Sequence, residues 1–305
     1  MTTTVEGSKE RFEFGKHATF HLREGWLSKG MRDADKTAGF VADLDTADRL
    51  GLGSRMVKSL AFWLEATGVT RAVEVGKSKK KVMLPSAFGR ALIELDPYLE
   101  FSASLWMAHV NLANRTGTVW NWFFNDFSMR SFDREACSGA FVRHIRERAK
   151  NPATLNTTQR EINCLLALYA RPAAAEAADP EDATVSPFRS LGVLMRNFET
   201  GTYERTRPLD KIPVEAFLAA VSAMCGEGGV GTIRLSELVG GRNAPGRLMN
   251  LDGDAVNELV ERAVSDYAED GVEIALLGSD RVITTPVLPP ERWLKKYFQK
   301  AASSA

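Results

Sequence analysis

Residues 14–29 read FGKHATFHLREGWLSK and hold two of the four histidines of the chain. His17, His21 and Glu24 recur at positions i, i+4 and i+7, so a helix that began at His17 would place the three side chains on one face. Trp26 and its apolar neighbours would anchor that helix to a core. The spacing therefore predicts a helical candidate site in this stretch, which we call the motif segment.

The composition of the 305-residue chain is that of an ordinary globular protein, with 44% hydrophobic and 26% charged residues. The formal net charge of zero excludes a nucleic-acid-binding protein that is basic over its whole surface. No apolar run approaches the roughly 18 residues of a membrane span, and the N-terminus lacks a signal-peptide pattern. Cys137, Cys164 and Cys225 have no metal or redox spacing and are expected as buried thiols. These features predict a cytoplasmic protein without a membrane segment.

Charge is spread unevenly along the chain. Residues 53–81 contain seven Lys and Arg against two Glu, whereas residues 252–280 are strongly acidic. Such an asymmetry predicts one phosphate-facing patch and a second face with another task. The predicted contacts to a DNA backbone are Arg55 and Lys58 on a helix, and Lys77, Lys79, Lys80 and Lys81 at the tip of a hairpin. A solvated turn is the alternative interpretation of the four lysines.

The order of predicted elements indicates an α+β protein, mainly α-helical with small β-hairpins. A helix over 54–66 followed by a hairpin has the order of a winged helix-turn-helix module. A later helix, strand, helix and hairpin repeat that order, but the acidic last helix suits protein contact better than DNA contact. The predicted units are a flexible arm (1–13), a winged-helix-like DNA-binding unit with the motif segment (14–95), a helical middle (96–170), a linker or exposed loop (171–187) and a winged-helix-like C-terminal unit (188–305).

Local signals predict where individual helices begin. Residues 31–45 lack an apolar pattern and are predicted as a loop, after which Asp45 would cap a short helix. Asp133 would cap a longer amphipathic helix. Thr158-x-x-Glu161 matches a capping box, which would open the next helix.

The densest aromatic stretch is WNWFFNDF, residues 120–127. Its rings recur at helical spacing, which favours positions in the core. Stacking on the bases of single-stranded DNA is the alternative. Asn121 and Asn125 are expected on the polar side of this helix, and Trp63 and Trp106 are expected in the core.

The motif segment resembles the opening motif of a bacterial domain family. The matching residues are Phe14, Gly15, His17, Thr19, Phe20, Arg23, Trp26 and Lys29, and further matching blocks lie at 50–64, 89–106 and 120–127. The family was formerly of unknown function and includes the SspB DNA nickase of phosphorothioation-based defence systems. Ala18 stands where many relatives carry Glu, so no role of that glutamate applies to this chain.

The resemblance implies a DNA endonuclease that nicks one strand, or a subunit of one, in DNA phosphorothioate modification and phage defence. Cleavage of a phosphodiester needs an activated nucleophile and positive charge on the reacting phosphate. His17, His21 and Glu24 would supply the first, alone or around Mg²⁺ or Mn²⁺. Arg23 and Lys29 would supply the second. A structural hydrogen-bonded network is the alternative role of the histidines and Glu24.

By the same resemblance, the expected partners are DNA, a cysteine desulfurase, an ATP pyrophosphatase that carries sulfur and a helicase-like ATPase. A homodimer is also compatible with the sequence. The glycine-rich residues 226–232 lack the lysine of a phosphate-binding loop, and no Asp or Glu stands two residues before a Lys as in the common nuclease signature. These absences favour a second hypothesis, a non-catalytic DNA-binding adaptor that recruits partners of the modification complex.

Overall fold

The structure is a computed structural model that describes residues 9–76, 80–151, 153–172, 185–226 and 228–303. These residues form a mixed α+β fold of helices and small, mostly antiparallel sheets, as predicted. One continuous cluster of buried apolar side chains extends from Phe12 to Leu294. Across the described ranges, no helix is long and apolar enough to cross a membrane.

The N-terminal part packs helices against a β-hairpin. Its helices are α1 (Trp26–Lys36), α2 (Leu44–Leu50), α3 (Ser54–Ala66) and α4 (Ala87–Leu95), and its strands are β1 (Thr70–Val75) and β2 (Lys80–Pro85). The strands pair antiparallel, with Thr70 opposite Pro85 and Val75 opposite Lys80. Helix α3 and the hairpin lie where the sequence predicts them, because both have clear apolar periodicities.

The middle of the chain is helical. It contains α5 (Ser102–Asn114), α6 (Val119–Asn125), β3 (Ser131–Phe132), α7 (Arg134–Arg148), α8 (Leu155–Tyr169) and β4 (Ala170–Pro172). The Asp133 side chain accepts a hydrogen bond from the Ala136 N–H, so the predicted cap of α7 is confirmed.

The C-terminal part contains β5 (Leu194–Arg196), β6 (Tyr203–Arg205), α9 (Val214–Cys225), β7 (Val230–Arg234), α10 (Leu235–Gly240), α11 (Pro245–Leu248), α12 (Gly253–Tyr267), β8 (Glu273–Leu277), β9 (Asp280–Pro286) and α13 (Pro290–Ser303). One sheet has the order β7-β9-β8, and another has the order β3-β6-β5-β4. The second sheet joins strands of the middle to strands of the C-terminal part. The winged-helix character of the two ends and the division into five units stay predictions.

The motif segment is not helical at His17, and that prediction is wrong. Residues 14–25 form turns and irregular chain, and α1 begins only at Trp26. Ala18 and Thr19 have φ angles of 49° and 72°, in the left-handed region that interrupts a right-handed helix. The spacing of residues along the chain indicates only which side chains would meet within one helix. This turn is held instead by contacts with the distant helices α3 and α8.

The loop predicted over residues 31–45 is also wrong in its first part, because α1 continues to Lys36. Met31 and Ala34 are buried in the core. Asp33 is buried as well, and its Oδ1 accepts a hydrogen bond from Arg49 Nε at 2.6 Å. Four of residues 31–36 are charged, so the local composition indicates a loop, although Met31 and Ala34 continue the buried face of α1.

Two predicted helix starts are displaced. The side chain that caps α2 is Asp43 rather than Asp45. Helix α8 begins after Thr154, whose side chain caps it, so Thr158 and Glu161 are not a capping box but lie inside the helix. The side chain of Glu161 is used in a distant contact, which the local motif does not reveal.

The aromatic stretch is confirmed as core. The rings at positions 120, 122, 123, 124 and 127 are buried, as are Trp63 and Trp106. Asn121 and Asn125 are buried too, contrary to the predicted polar face, and their Nδ2 atoms donate to Asn243 Oδ1 at 3.0 and 2.9 Å. The loop between α10 and α11 covers this face and satisfies its amides.

His109 on α5 is a fully buried polar side chain that links three helices. Its Nδ1 lies 2.8 Å from the Tyr169 hydroxyl and its Nε2 lies 2.8 Å from the Leu248 carbonyl oxygen. A carbonyl oxygen only accepts, so Nε2 carries the proton and Nδ1 accepts from Tyr169. Burial lowers the pKa of His109 to about 4, and the imidazole is therefore neutral at pH 7.

The cysteines agree in part with their prediction. Cys137 and Cys164 are buried, and burial raises the pKa of the Cys137 thiol to about 12. Cys225 is only half-buried.

Candidate functional site

His17 lies in a closed pocket beneath the motif segment. Its side chain is 1% exposed, and its Nε2 is 3.2 Å from Oε2 of Glu161, which is 2% exposed. The other oxygen of Glu161 accepts a hydrogen bond from the Gly15 N–H at 2.6 Å. The rings of Phe62 and Trp120 flank the imidazole at centroid distances of 6.3 and 6.0 Å. Glu161 therefore hydrogen-bonds the turn before His17 to α8 and lies within ion-pair distance of the imidazole, whose two nitrogens have no hydrogen-bond partner in the described structure.

The next turn of the motif segment is fixed through the carbonyl oxygen of Phe20. That oxygen accepts hydrogen bonds from Trp63 Nε1 at 3.1 Å and from Ser59 Oγ at 3.3 Å, both on α3. The Cys164 thiol of α8 lies 3.8 Å away, and burial raises the pKa of this thiol well above its usual range. The segment is thus clamped between α3 and α8.

The three predicted catalytic residues occupy different environments. His17 is buried, His21 is half-buried and Glu24 is exposed. Within the described parts of the chain, no three His, Cys, Asp or Glu side chains come together as a metal site. A catalytic base must reach the proton that it removes, and the enclosure of His17 favours its structural role. Catalytic roles for these three residues stay predictions.

A groove does bring together three predicted site residues. It encloses about 760 Å³ between the start of α1, the turn at residues 98–100 and the 3₁₀ helix Pro187–Leu191. We call it the motif groove. Its positively charged lining residues are Arg23, Lys29, Arg32 and Arg189, and its negatively charged ones are Glu24 and Glu100.

The cations of the motif groove are largely unneutralised. Among the described residues, no carboxylate forms an ion pair with Arg23, Lys29 or Arg32. Arg23 lies over the rings of Phe20 and Trp26 at 5.5 and 5.4 Å. Its Nε is buried and has no hydrogen-bond partner in the described structure. Packing on aromatic rings holds this guanidinium in place but does not neutralise its charge.

The groove also opens at the N-terminus of α1. Gly25, with φ 74°, precedes the helix, and the first turn contains no acidic residue. The free N–H groups and dipole of a helix start favour an anion. The exposed ring of Tyr98, over which Arg32 lies at 5.3 Å, borders the same space. The arrangement is suited to a phosphate group with an adjacent planar or apolar part.

The second predicted surface is described only in part. Arg55 and Lys58 are exposed on α3, and Lys80 and Lys81 are exposed at the start of β2. Lys80 Nζ is 3.4 Å from the Asp43 carboxylate, an exposed pair of little energetic weight. Lys77 and Lys79 lie outside the described residues.

Arg32 and Arg189 are groove residues that sequence reasoning missed. Arg32 stands three residues after Lys29 on α1, so a correct boundary for that helix would have found it. Arg189, whose Nε donates to the Ala167 carbonyl oxygen at 3.2 Å, is brought to the groove by tertiary packing and has no local signal.

Comparison with known proteins gives one family and one fold. The model of a family described as "Protein of unknown function (DUF4007)" matches residues 14–303. An SspB crystal structure superposes with a TM-score of 0.79 at 23% identity, covering 97% of this chain and 89% of that one. A magnesium ion-bound SspB crystal structure superposes with a TM-score of 0.78 at 23% identity, covering 95% of this chain and 87% of that one. No curated protein sequence matches the chain. These similarities establish the shared fold.

Proposed function

The chain belongs to the DUF4007 family, and from this premise we propose that it is a DNA-binding nickase, or a subunit of one, in DNA phosphorothioate modification and phage defence. Support comes from the motif segment, whose residues resemble those of the family that includes the SspB nickase, and from the fold similarity to SspB. The expected partners are the cysteine desulfurase, the ATP pyrophosphatase and the ATPase of such a system.

The main support for the proposal of DNA binding is the motif groove. Arg23, Lys29 and Arg32 face one space without a described carboxylate in ion-pair distance, at the start of a helix. Phosphate neutralisation by Lys and Arg supplies most of the sequence-independent affinity for DNA. Guanidinium groups add bidentate contacts to phosphate oxygens.

Nicking would use the same space. Glu24 is exposed and stands beside Arg23 in sequence, so a carboxylate and a cation both border the groove. A carboxylate that activates the nucleophile and cations that stabilise the reacting phosphate are the minimal requirements. Mg²⁺ is bound in one SspB structure. The described residues of this chain supply no three-ligand cluster for it, so we assign no step to a metal.

A non-catalytic DNA-binding adaptor is the second candidate. The enclosure of His17 by Glu161, Phe62 and Trp120 favours it, because a buried histidine does not reach a DNA phosphate. The adaptor would bind DNA through the motif groove and contact its protein partners through the acidic C-terminal part.

Two measurements separate these candidates. Binding to a labelled DNA duplex is measured by anisotropy over a range of salt concentrations, with Lys29→Ala and Arg32→Ala as test variants. Each should weaken binding and flatten the dependence of log affinity on log salt by about 0.9. Arg281→Ala is the control, since Arg281 is an exposed arginine on β9 outside the groove.

Nicking is then measured on supercoiled plasmid, with and without Mg²⁺ or Mn²⁺. Glu24→Ala should abolish nicking and leave DNA affinity nearly unchanged, because a group that acts in the transition state contributes little to ground-state binding. DNA binding without nicking under every condition would select the adaptor. Equal DNA affinity of wild type, Lys29→Ala and Arg32→Ala would refute the role of the motif groove.

A further inference from the structure

A second cationic cavity lies away from the motif groove. It encloses about 650 Å³ between the loop after α6, the end of β6 and the α10–α11 region. Its lining includes Arg130, Arg205, Arg207, Arg247 and a single carboxylate, Asp252. We call it the arginine pocket. None of these residues was predicted as functional from the sequence.

The one carboxylate of the arginine pocket is already engaged. Asp252 caps α12 by accepting from the Ala255 N–H at 3.0 Å, and it accepts from Arg207 at 2.6 Å. The hydrogen bond from Ala255 and the Arg207 guanidinium lower the pKa of Asp252. Asp252 therefore neutralises Arg207, and Glu204 lies 3.9 Å from Arg130. Arg205 and Arg247 are the remaining arginines of the pocket.

Arg205 is a largely enclosed cation. Its guanidinium lies 4.4 Å from the centroid of the Phe123 ring and donates to the Phe123 carbonyl oxygen. Its Nε is buried and has no hydrogen-bond partner in the described structure. The nearby Cys137 thiol is neutral at pH 7 and gives no counter-charge, since burial raises the pKa of that thiol to about 12.

Arg247 adds a second positive charge. It donates to the carbonyl oxygens of Gly240, at 2.7 Å, and Asn125, which hold the guanidinium in place. Burial and, to a lesser degree, the charge of Arg247 lower the pKa of Arg205 to about 10, so the Arg205 guanidinium remains charged at neutral pH. In the described parts of the chain, neither forms an ion pair with a carboxylate.

Two guanidiniums that border one cavity without a described carboxylate partner, one of them largely enclosed, are costly unless an anion accompanies them. Protein carbonyl oxygens orient these arginines but leave their charge uncompensated. A phosphate group offers the missing charge and pairs of oxygens that can accept two parallel N–H groups of a guanidinium.

We propose that the arginine pocket is a phosphate-binding site in which Arg205 and Arg247 are the principal ligands. The inference does not depend on DNA binding at the motif groove. Two sources share this chemistry: a free phosphate or nucleotide, and the 5′-phosphate at a DNA strand end.

The test measures binding of four probes to the full chain by calorimetry: inorganic phosphate, AMP, and a short single-stranded oligonucleotide with either a 5′-phosphate or a 5′-hydroxyl. The ionic strength is held constant with NaCl. Arg247→Gln should weaken binding of the phosphate-bearing probe by about 10- to 100-fold, as expected from the loss of a hydrogen bond between charged groups. Arg205→Lys keeps the positive charge but loses the forked N–H groups of the guanidinium, so it should weaken binding of the phosphate-bearing probe as well.

Arg281→Ala is the matched control and should bind each probe as wild type does. Far-UV circular dichroism and melting without ligand establish that each variant is folded. Binding of phosphate or AMP assigns a free ligand, whereas preference for the 5′-phosphorylated oligonucleotide assigns a strand end. Absence of saturable binding to wild type, or equal binding by wild type and both pocket variants, would overturn the proposal.

Discussion

The contact between His17 and Glu161 leads to the most decisive prediction, made with the substitution Glu161→Ala. Both side chains are almost fully buried, 3.2 Å apart, and Glu161 also accepts from the Gly15 N–H at 2.6 Å. Removing the carboxylate leaves His17 and that N–H without this partner in an apolar surrounding. A buried polar group left without its partner in this way costs about 1–3 kcal/mol of unfolding free energy.

The assay is equilibrium unfolding in urea, followed by tryptophan fluorescence, with Glu24→Ala as control. Glu24 is a glutamate of the same motif segment but exposed, so its substitution should change stability by no more than about 0.5 kcal/mol. His17→Ala and the double variant complete a cycle. Because the two residues are in contact, the loss of unfolding free energy in the double variant should be smaller than the sum of the two single losses by about 1–3 kcal/mol.

One result would refute this structural interpretation. If Glu161→Ala and His17→Ala unfold at the urea concentration of wild type yet abolish nicking, the two residues act as a catalytic dyad. The enclosure of His17 would then have to open when DNA binds.

Three further predictions follow from other parts of the molecule. Replacing Trp63 or Trp106, both fully buried, by Ala should cost about 3–5 kcal/mol in urea unfolding; a variant with unchanged stability would contradict their place in the core. The pKa of His109 is about 4 in the folded protein against 6.5 ordinarily. The neutral His109 therefore contributes fully to the unfolding free energy above pH 6.5, and this contribution is lost as the pH falls through 4. Stability should therefore drop by on the order of 3 kcal/mol more between pH 7 and pH 4 in wild type than in His109→Gln, and parallel pH profiles would disprove this. The double substitution of Lys80 and Lys81 by Ala should reduce the salt slope of DNA binding by about two without lowering the melting temperature, and an unchanged slope would exclude the hairpin as a DNA contact.

Much of the fold was predictable from local pattern. Helix α3, the β1–β2 hairpin and the capped helix α7 agree with periodicity and capping signals, within a few residues at their ends. The tryptophan-rich stretch was correctly placed in the core. The prediction failed at residues 31–36, where four charged residues indicate a loop but Met31 and Ala34 continue the buried face of α1.

The candidate site was predictable to a smaller extent. The motif segment does border a cationic groove through Arg23, Glu24 and Lys29. The helical alignment of its two histidines was wrong, since the turn at Ala18 and Thr19 directs the chain otherwise. Nothing in the sequence pointed to Arg205 and Arg247, which are separated along the chain and have no motif around them.

The sequence by itself determined the α+β class and the aromatic core, because apolar periodicity and residue type act over a few residues. Only the tertiary structure decided that Glu161 contacts His17 instead of capping a helix, that Arg32 and Arg189 share a groove, and that Arg205 and Arg247 line one pocket. These pairings depend on which distant segments exclude water from each other, and the cost of burying a charge then selects the partner. That selection is made by long-range packing, on which local spacing carries no information.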